Sequence, residues 1–129
     1  MSASQLRLVL TVEDFDAALA LFRDALGLEE VDAWEAQAGR IAILGAGRAT
    51  LELVDEAQAE AIDEIEVGRR VAGPVRIAFE VDDSAAVADR LVAAGAELVA
   101  GPVETPWRDR NVRVGVPGGL QLTLFSPID

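Results

Sequence analysis

The chain has no histidine, no cysteine, no tyrosine and no lysine among its 129 residues. Acid–base catalysis by imidazole or phenol, thiol nucleophiles, lysine Schiff bases and serine–histidine triads are therefore excluded. Zinc, nickel and copper sites in proteins favour imidazole and thiolate ligands, so we expect no such metal and leave only an all-oxygen site open. The polar chemistry that remains belongs to Asp, Glu, Ser, Thr and Arg.

Positive charge is also scarce. Against 23 acidic residues there are 11 basic ones, all arginine, which gives a net charge of −12 at pH 7. This charge argues against a nucleic-acid partner and favours cationic ligands. No apolar run approaches the roughly 18 residues of a membrane span, and the first residues lack a basic stretch followed by an apolar one. We therefore expect a folded cytoplasmic protein with no membrane partner, which the absence of cysteine suits.

What the chain does contain is a repeat. Residues 6–14 (Leu-Arg-Leu-Val-Leu-Thr-Val-Glu-Asp) and residues 75–83 (Val-Arg-Ile-Ala-Phe-Glu-Val-Asp-Asp) both carry an arginine at the start of an alternating strand. Both end in an acidic pair that leads into an alanine-rich helical pattern. The matching residues are Arg7 with Arg76, Val12 with Val81, and Asp14 with Asp83. A repeat of this length predicts a duplicated module.

Each half of the chain shows one strand, one helix and three further strands. Alternation predicts strands over residues 6–13, 29–36, 40–44, 49–54, 75–82, 97–103, 111–116 and 120–125. One helix follows Asp14 and stops at Gly27, and another begins at Ser84 and stops at Gly95. The prediction is an α+β chain of two βαβββ modules, residues 1–54 and 75–129, folded as one compact domain around a curved mixed sheet.

Residues 55–74 join the modules. They are acidic up to Glu66 and then basic at Arg69 and Arg70, and their short apolar stripe consists of Ala61, Ile62 and Ile65. We interpret this segment as an acidic linker with a short solvated helix. A lid over a site, or a dimer contact, is the alternative.

Alternation also defines the sheet face that lies away from the module helices. It carries Arg7, Val9, Thr11, Thr50, Glu52, Val54, Arg76, Ala78, Glu80, Gln121, Thr123 and Phe125. A few charges among small side chains on a concave sheet are typical of a ligand cleft, and equally of a solvated face. Both interpretations stay open on the residues alone.

Several local motifs resemble a known family. They are Val-Glu-Asp-Phe at residues 12–15, Phe-Arg-Asp-Ala-Leu-Gly-Leu at residues 22–28, Leu-Glu-Leu at residues 51–53, and Pro117-Gly118-Gly119 before Gln-Leu-Thr-Leu at residues 121–124. Together with the paired modules they resemble the vicinal oxygen chelate superfamily, which includes glyoxalase I, extradiol dioxygenases and bleomycin resistance proteins. The resemblance covers essentially the whole chain and implies that fold, a ligand cleft and a homodimer. It leaves the function open.

Metal-dependent members of that family hold their ligands on the first and last strand of each module. The matching positions here are Arg7, Glu52, Arg76 and Thr123. Arginine has no lone pair to donate and stays protonated, so only Glu52 could bind a metal well. The resemblance therefore implies the metal-free, bleomycin-resistance-like branch, without glyoxalase or dioxygenase activity and without a cofactor.

Two roles stay open for these arginines. Arg7 and Arg76 could flank Glu52 in a structural ion-pair cluster, or their excess charge could receive an anionic ligand group such as a carboxylate. We expect the arginines to favour the ionised form of Glu52, which would make it a poor general base.

Two tryptophans are candidate ligand contacts. The segment from Glu104 to Arg110 resembles the Pro-Trp-Gly motif and following arginine of bleomycin-resistance-like proteins, with Arg108 in place of the glycine. Trp107 would offer a flat wall for aromatic or cationic ligands, and Trp34 an opposing one. Packing in the core or at a dimer interface is the alternative for each.

The expected function is metal-independent binding of a small organic molecule, with sequestration of a cationic or aromatic compound as its specific form. The ligand-binding residues would be Arg7, Trp34, Glu52, Arg76, Trp107, Gln121 and Thr123. Two alternatives remain. One is a cofactor-free lyase or isomerase that uses Glu52 or Glu104, and the other is a structural dimer with a degenerate site.

Overall fold

A computed structural model describes residues 3–36, 39–116 and 119–129. The strands are β1 (Gln5–Val12), β2 (Glu29–Ala36), β3 (Gly39–Ala46), β4 (Ala49–Asp55), β5 (Val75–Glu80), β6 (Glu97–Glu104), β7 (Asp109–Gly115) and β8 (Gln121–Pro127). The helices are α1 (Phe15–Leu19), which continues as a π-helical segment (Ala20–Ala25), α2 (Glu56–Glu66) and α3 (Ser84–Ala93). The predicted turn at Pro117-Gly118-Gly119 and the loop after β2 lie partly outside the described residues.

The strands form one curved, open sheet in the order β2-β3-β4-β1-β5-β8-β7-β6. In each module the first and last strands pair in parallel, β1 with β4 and β5 with β8. The modules join where β1 runs antiparallel to β5, with Arg7 opposite Ala78 and Val9 opposite Arg76. This arrangement confirms the predicted α+β fold of two βαβββ modules and brings the repeated strands to the centre of the sheet.

The repeated acidic pairs start the module helices. Asp14 Oδ1 accepts a hydrogen bond from Ala17 N at 3.0 Å, and Asp83 Oδ1 accepts one from Ala86 N at 3.1 Å. Each carboxylate thus satisfies an amide that the first helical turn leaves without a partner. The first helix differs from the prediction because its second half widens into π-helical turns before Gly27, whose φ is +86°.

Both module helices cover the same side of the sheet. Two buried apolar clusters fill this side, one under α1 (Phe15, Leu19, Ala42, Leu44, Leu51, Leu53) and one under α3 (Val81, Ala88, Val112, Val114, Leu124). These residues alternate along their strands, as expected for a sheet covered on one face. The opposite, concave face is therefore free to meet another element.

That element is α2, and the prediction of a solvated linker helix is wrong. Its buried residues are Gln58, Ala59, Ile62, Asp63 and Glu66. Ala59 and Ile62 pack against Val9, Val54 and Phe125 of the concave face, together with Ile41 and Ala78. Hydropathy alone favours the exposed interpretation because two of the buried residues are acidic, and their charges are matched by Arg113 of the sheet and, for Asp63, also by Arg70.

The start of α2 is fixed against β3. Asp55 Oδ1 accepts a hydrogen bond from Gln58 N at 2.8 Å, and Asp55 Oδ2 accepts one from Arg40 N at 3.1 Å. A Cβ at Gly39 would collide with both Asp55 Oδ1 and Gln58 N. The absence of a side chain at Gly39 therefore lets the helix approach the strand. No helix in the described part of the chain is long and apolar enough to cross a membrane.

Candidate ligand-binding site

A cavity of about 320 Å³ lies between α2 and the concave face of the sheet. Six of the predicted ligand-binding residues line it, namely Arg7, Trp34, Glu52, Arg76, Trp107 and Thr123. Gln121 does not line this cavity, and its side chain instead accepts a hydrogen bond from Arg113 Nη1 at 3.0 Å. The fold thus brings most of the candidate site together, while the binding role of each residue stays a prediction.

Arg7 forms one part of the cavity floor. Its guanidinium donates to Thr50 Oγ1 at 3.2 Å, Glu52 Oε1 at 3.3 Å and Gln5 Oε1 at 3.0 Å. It also lies over the Phe125 ring, 5.3 Å from the centroid. Because each of its nitrogens already donates to a neighbour, Arg7 is held in place by the protein itself, which favours the structural over the anion-binding alternative.

Arg76 lies beside Arg7 in the floor and is buried. Its Nη1 donates to Thr123 Oγ1 at 2.6 Å. Burial lowers the pKa of Arg76, and Arg113 acts in the same direction, while the carboxylates of Glu66 and Glu52 act against it. These carboxylates compensate the cationic charge that burial disfavours.

Sequence reasoning missed four residues of the cavity lining, Asp32, Gln58, Asp109 and Asn111, and also the buried Arg113, which holds α2 to the sheet. The side chain of Arg113 is fully buried and donates to Asp63 Oδ1 and Glu66 Oε1, both at 2.8 Å. Asn111 Nδ2 completes the group with a hydrogen bond to Glu66 Oε2 at 2.9 Å. The alternation of β7 was the available signal, because it puts Asp109, Asn111 and Arg113 on one face, with Arg113 opposite Thr123.

Asp63 is the best-satisfied carboxylate of the cluster. Besides Arg113, it accepts hydrogen bonds from Arg70 Nη1 at 3.0 Å, Val71 N at 2.8 Å and Ala72 N at 2.9 Å. Burial works to raise the pKa of Asp63, but the hydrogen bonds from Ala72, Arg113 and Val71 outweigh it and hold the pKa below its usual range. The charged form of Asp63 therefore stabilises the docked position of α2.

Glu52 behaves differently: the two arginines favour its ionised form as expected, but the expectation that it is therefore a poor proton acceptor is wrong. Its pKa is raised, because burial outweighs the opposing charges of Arg76 and Arg7, and the nearby carboxylate of Glu66 adds to the effect. Glu52 thus binds a proton more readily than an ordinary glutamate. The prediction had considered the two arginines without the desolvation that comes with a buried floor.

The buried charges are balanced. In formal charge, Arg7, Arg76 and Arg113 face Glu52, Asp63 and Glu66, three arginines against three carboxyl groups, and Arg70, which also contacts Asp63, is offset by Glu56. The excess of arginine over Glu52 that the sequence suggested is removed by the two acids that α2 contributes. The floor is therefore a network of matched charges with no net cationic excess to attract an anion.

The two tryptophans lie at the mouth of the cavity. Trp34 is 38% exposed and Trp107 is 37% exposed, so neither is a core residue. Trp34 belongs to β2, one edge strand, whereas Trp107 lies in the connection from β6, the other edge strand, to β7. Arg108, which follows Trp107, has φ +67°, a conformation that favours the glycine found there in the resembling motif.

Two aspartates accompany the tryptophans. Asp32 is exposed on β2 and Asp109 is half-buried at the start of β7, and both line the cavity. Burial raises the pKa of Asp109, and the charge of Arg7 acts against that shift. The mouth of the cavity is therefore acidic and aromatic, in contrast to the charge-balanced floor.

The residues at the four ligand positions of the metal-dependent relatives do not fit a metal. Two are arginines, and Glu52, the remaining charged candidate, is engaged with Arg7. Within residues 3–36, 39–116 and 119–129, no three His, Cys, Asp or Glu side chains converge as a metal site would require. This donor set offers one carboxylate and one hydroxyl, which is too few for a stable protein-held ion.

Comparisons with known proteins agree with the fold. Residues 4–124 match the family model of the Glyoxalase/Bleomycin resistance protein/Dioxygenase superfamily. No curated protein sequence matches the chain. Among solved structures, the chain is similar to methylmalonyl-CoA epimerase from Mycobacterium tuberculosis, with a TM-score of 0.69 and 23% identity over 98% of this chain and 90% of the other.

Two further structures are similar. One is a variant of Streptomyces coelicolor methylmalonyl-CoA epimerase in complex with 2-nitronate-propionyl-CoA, with a TM-score of 0.69 and 21% identity over 99% of this chain and 100% of the other. The other is a glyoxalase/bleomycin resistance protein/dioxygenase superfamily member from Vibrio splendidus, with a TM-score of 0.65 and 15% identity over 95% and 97% of the two chains. At these identities the likeness shows the fold alone.

Proposed function

We propose that the chain, which belongs to the Glyoxalase/Bleomycin resistance protein/Dioxygenase superfamily as its sequence resemblance predicts, is a metal-independent binding protein. It takes up a small, flat, positively charged molecule in the cavity between α2 and the sheet. The bound compound is held by stacking and by charge, and is sequestered without being changed.

One observation carries this proposal. Trp34 and Trp107 come from opposite edges of an eight-stranded sheet, yet both line the same cavity while staying partly exposed. Large aromatic side chains at an open mouth offer flat surfaces on which an aromatic or cationic ligand can stack. The exposed parts of the two indole rings are therefore available for a bound ligand to stack on.

The distribution of charge supports a cation. The floor is balanced in formal charge, and Asp32 and Asp109 add formal negative charge at the mouth of the cavity. The net charge of −12 on the whole chain attracts cations over a longer range. The local and the overall field therefore favour the same sign of ligand.

Tryptophan fluorescence tests the proposal directly. We expect biphenyl-4-carboxamidine, a flat cation, to quench the two tryptophans on titration, and its carboxylate analogue, biphenyl-4-carboxylate, to bind at least tenfold more weakly. Trp34→Ala and Trp107→Ala are expected to weaken binding, whereas Val92→Ala, on an exposed residue outside the cavity, serves as control. Equal binding of cation and anion, or no binding of either, would refute the proposal.

A cofactor-free isomerase or lyase is the second candidate, and the raised pKa of Glu52 favours it. A carboxylate with a raised pKa is a stronger base, and two structural neighbours carry the name methylmalonyl-CoA epimerase. The charge of −12 disfavours so anionic a substrate as a CoA ester. Incubation with methylmalonyl-CoA in D2O tests this role, because proton abstraction would introduce deuterium at C2 and Glu52→Gln would abolish the exchange.

We further propose that the protein is a cytoplasmic homodimer. Exposed apolar side chains on the π-helical segment and its end support self-association, with Leu21 60% and Leu26 66% exposed. Light scattering on the eluted protein distinguishes a monomer of 13.6 kDa from twice that mass. A monomer at micromolar concentration would contradict the dimer without bearing on ligand binding, because the cavity lies within one chain.

A further inference from the structure

The cavity has two ends that carry the same three kinds of side chain. At the first end, Asp32 and Trp34 alternate on β2 and therefore share a face. Gln58, in the first turn of α2, lies at the same end because its backbone is packed against Gly39 at the start of β3, the strand that pairs with β2. The first end thus offers a tryptophan, an aspartate and a side-chain amide.

The second end repeats this set from the other module. Trp107 precedes β7, and Asp109 and Asn111 alternate on β7 and share a face. Asn111 donates a hydrogen bond to Glu66 in the last turn of α2. A tryptophan, an aspartate and a side-chain amide therefore stand at each end of the helix that roofs the cavity.

Both amides present a buried oxygen that has no partner. Gln58 is 2% exposed and Asn111 is 5% exposed, and neither Gln58 Oε1 nor Asn111 Oδ1 accepts a hydrogen bond from the described residues. The orientation of Asn111 is defined, because its Nδ2 donates to Glu66 Oε2. A buried acceptor without a donor is costly, and both residues line the cavity, so a ligand N–H or O–H that reaches either oxygen would supply the missing donor.

The two ends are well separated. Gln58 and Glu66 are eight residues apart on α2, which corresponds to about 12 Å along the helix axis. A ligand that reaches both acceptors must therefore be elongated and must carry donors at both of its ends.

We propose that the physiological ligand is an elongated aromatic dication, with a nitrogen-based cationic group such as an amidinium or a protonated amine at each end. This inference rests on the proposed function and specifies its ligand class. Each cationic group donates one hydrogen bond to the buried amide oxygen and another toward the aspartate at that end. The aromatic part lies against the tryptophans above the charge-balanced floor.

Four matched probes test the ligand class, all built on the same biphenyl core. They are the 4,4′-dicarboxamidine, the 4-carboxamidine, the neutral 4,4′-dicarboxamide and the 4,4′-dicarboxylate. We expect the dication to bind about tenfold or more tightly than the monocation, because it adds one charge-assisted pair of hydrogen bonds. The neutral diamide is expected to bind more weakly than either cation, and the dianion not at all.

Variants at the two ends separate the inference from the proposed function. Asp32→Asn and Asp109→Asn are each expected to lower the affinity for the dication by about tenfold, and the two losses are expected to multiply nearly fully in the double variant. Glu35→Gln, on the same exposed strand as Asp32 but outside the cavity lining, is the matched control.

The outcomes are distinct. If the monocation binds as tightly as the dication, or if only one aspartate matters, the ligand has one cationic end and this inference fails while cation binding stands. If none of the four probes quenches the tryptophans or binds by calorimetry, the proposed function fails as well. Tightest binding of the neutral diamide would overturn the charge requirement and leave only the hydrogen-bond donors.

Discussion

Replacement of Arg113 by methionine tests the buried network that holds α2 to the sheet. The side chain of Arg113 is fully buried and makes both of its ion pairs at 2.8 Å. In Arg113→Met the volume is largely kept, so little of the effect comes from a cavity. Asp63 retains Arg70 and two backbone amides, whereas Glu66 retains only Asn111 among the described residues. The cost is therefore mainly that of one buried carboxylate, Glu66, which keeps the attraction of Arg76 but loses its ion-pair contact.

Loss of one partner of a buried ion pair costs about 3 to 5 kcal/mol. Because Asp63 keeps most of its donors, we expect the lower end, about 3 kcal/mol, or a fall in Tm of about 10 °C for a domain of this size. Urea unfolding at pH 7, followed by far-UV circular dichroism, measures the free energy of unfolding. Arg69→Met, a neighbouring exposed arginine, is the control and is expected to change stability by less than about 0.5 kcal/mol.

The double variant Arg113→Met/Glu66→Gln distinguishes lost charge pairing from lost packing. If the cost comes from the unpaired charge of Glu66, its removal is expected to restore about 1 kcal/mol or more. A loss below about 1 kcal/mol in the single variant, or no recovery in the double one, would refute the electrostatic account of α2 docking.

Three further predictions follow from the same region. The pKa of Asp63 is lowered, so the stability that Asp63 contributes is present above its ordinary pKa of 3.8 and is lost as the pH falls through the lowered pKa. The pKa of Glu52 is raised, so the protein is expected to lose stability, relative to Glu52→Gln, as the pH rises from 4.5 through the raised pKa. Urea unfolding at stepped pH measures both slopes, and slopes of opposite sign would contradict them. Gly39→Ala pushes a Cβ against Asp55 Oδ1 and is expected to cost about 2 kcal/mol by thermal unfolding, while Gly73→Ala, in open space, is expected to be silent. Zinc, nickel and manganese ions are expected to shift Tm by less than about 1 °C, and a larger rise reversed by chelator would show that a metal site exists after all.

The module architecture could be predicted because it depends on sequence patterns between neighbouring residues. Alternation in the repeated strands put Arg7 and Arg76 on one face, and the acidic pairs ending at Asp14 and Asp83 marked the helix starts. Both signals depend only on residues a few positions apart. For the same reason Glu52 and Thr123 could be assigned to one side of the sheet before any contact was known.

The role of α2 could not be predicted in this way. An acidic helix reads as solvated unless its charges have buried partners, and the partner of Asp63 is Arg113, fifty residues further along the chain. Local patterns do not contain that pairing. The ionisation of Glu52 failed for a related reason, because desolvation depends on the helix that covers it rather than on its neighbours in sequence.

The antiparallel junction of β1 and β5 has a consequence for how the halves of the chain belong together. Helix α2 follows the first module in sequence, yet it bonds to Arg113 and Asn111 of the second. The two modules are therefore joined by a continuous strand pair and by a buried ion-pair network, in addition to the peptide link near Gly73. If the chain were split between α2 and β5, each fragment would therefore carry buried polar groups whose partners lie on the other: Asp63 and Glu66 on the first, Arg113 and Asn111 on the second.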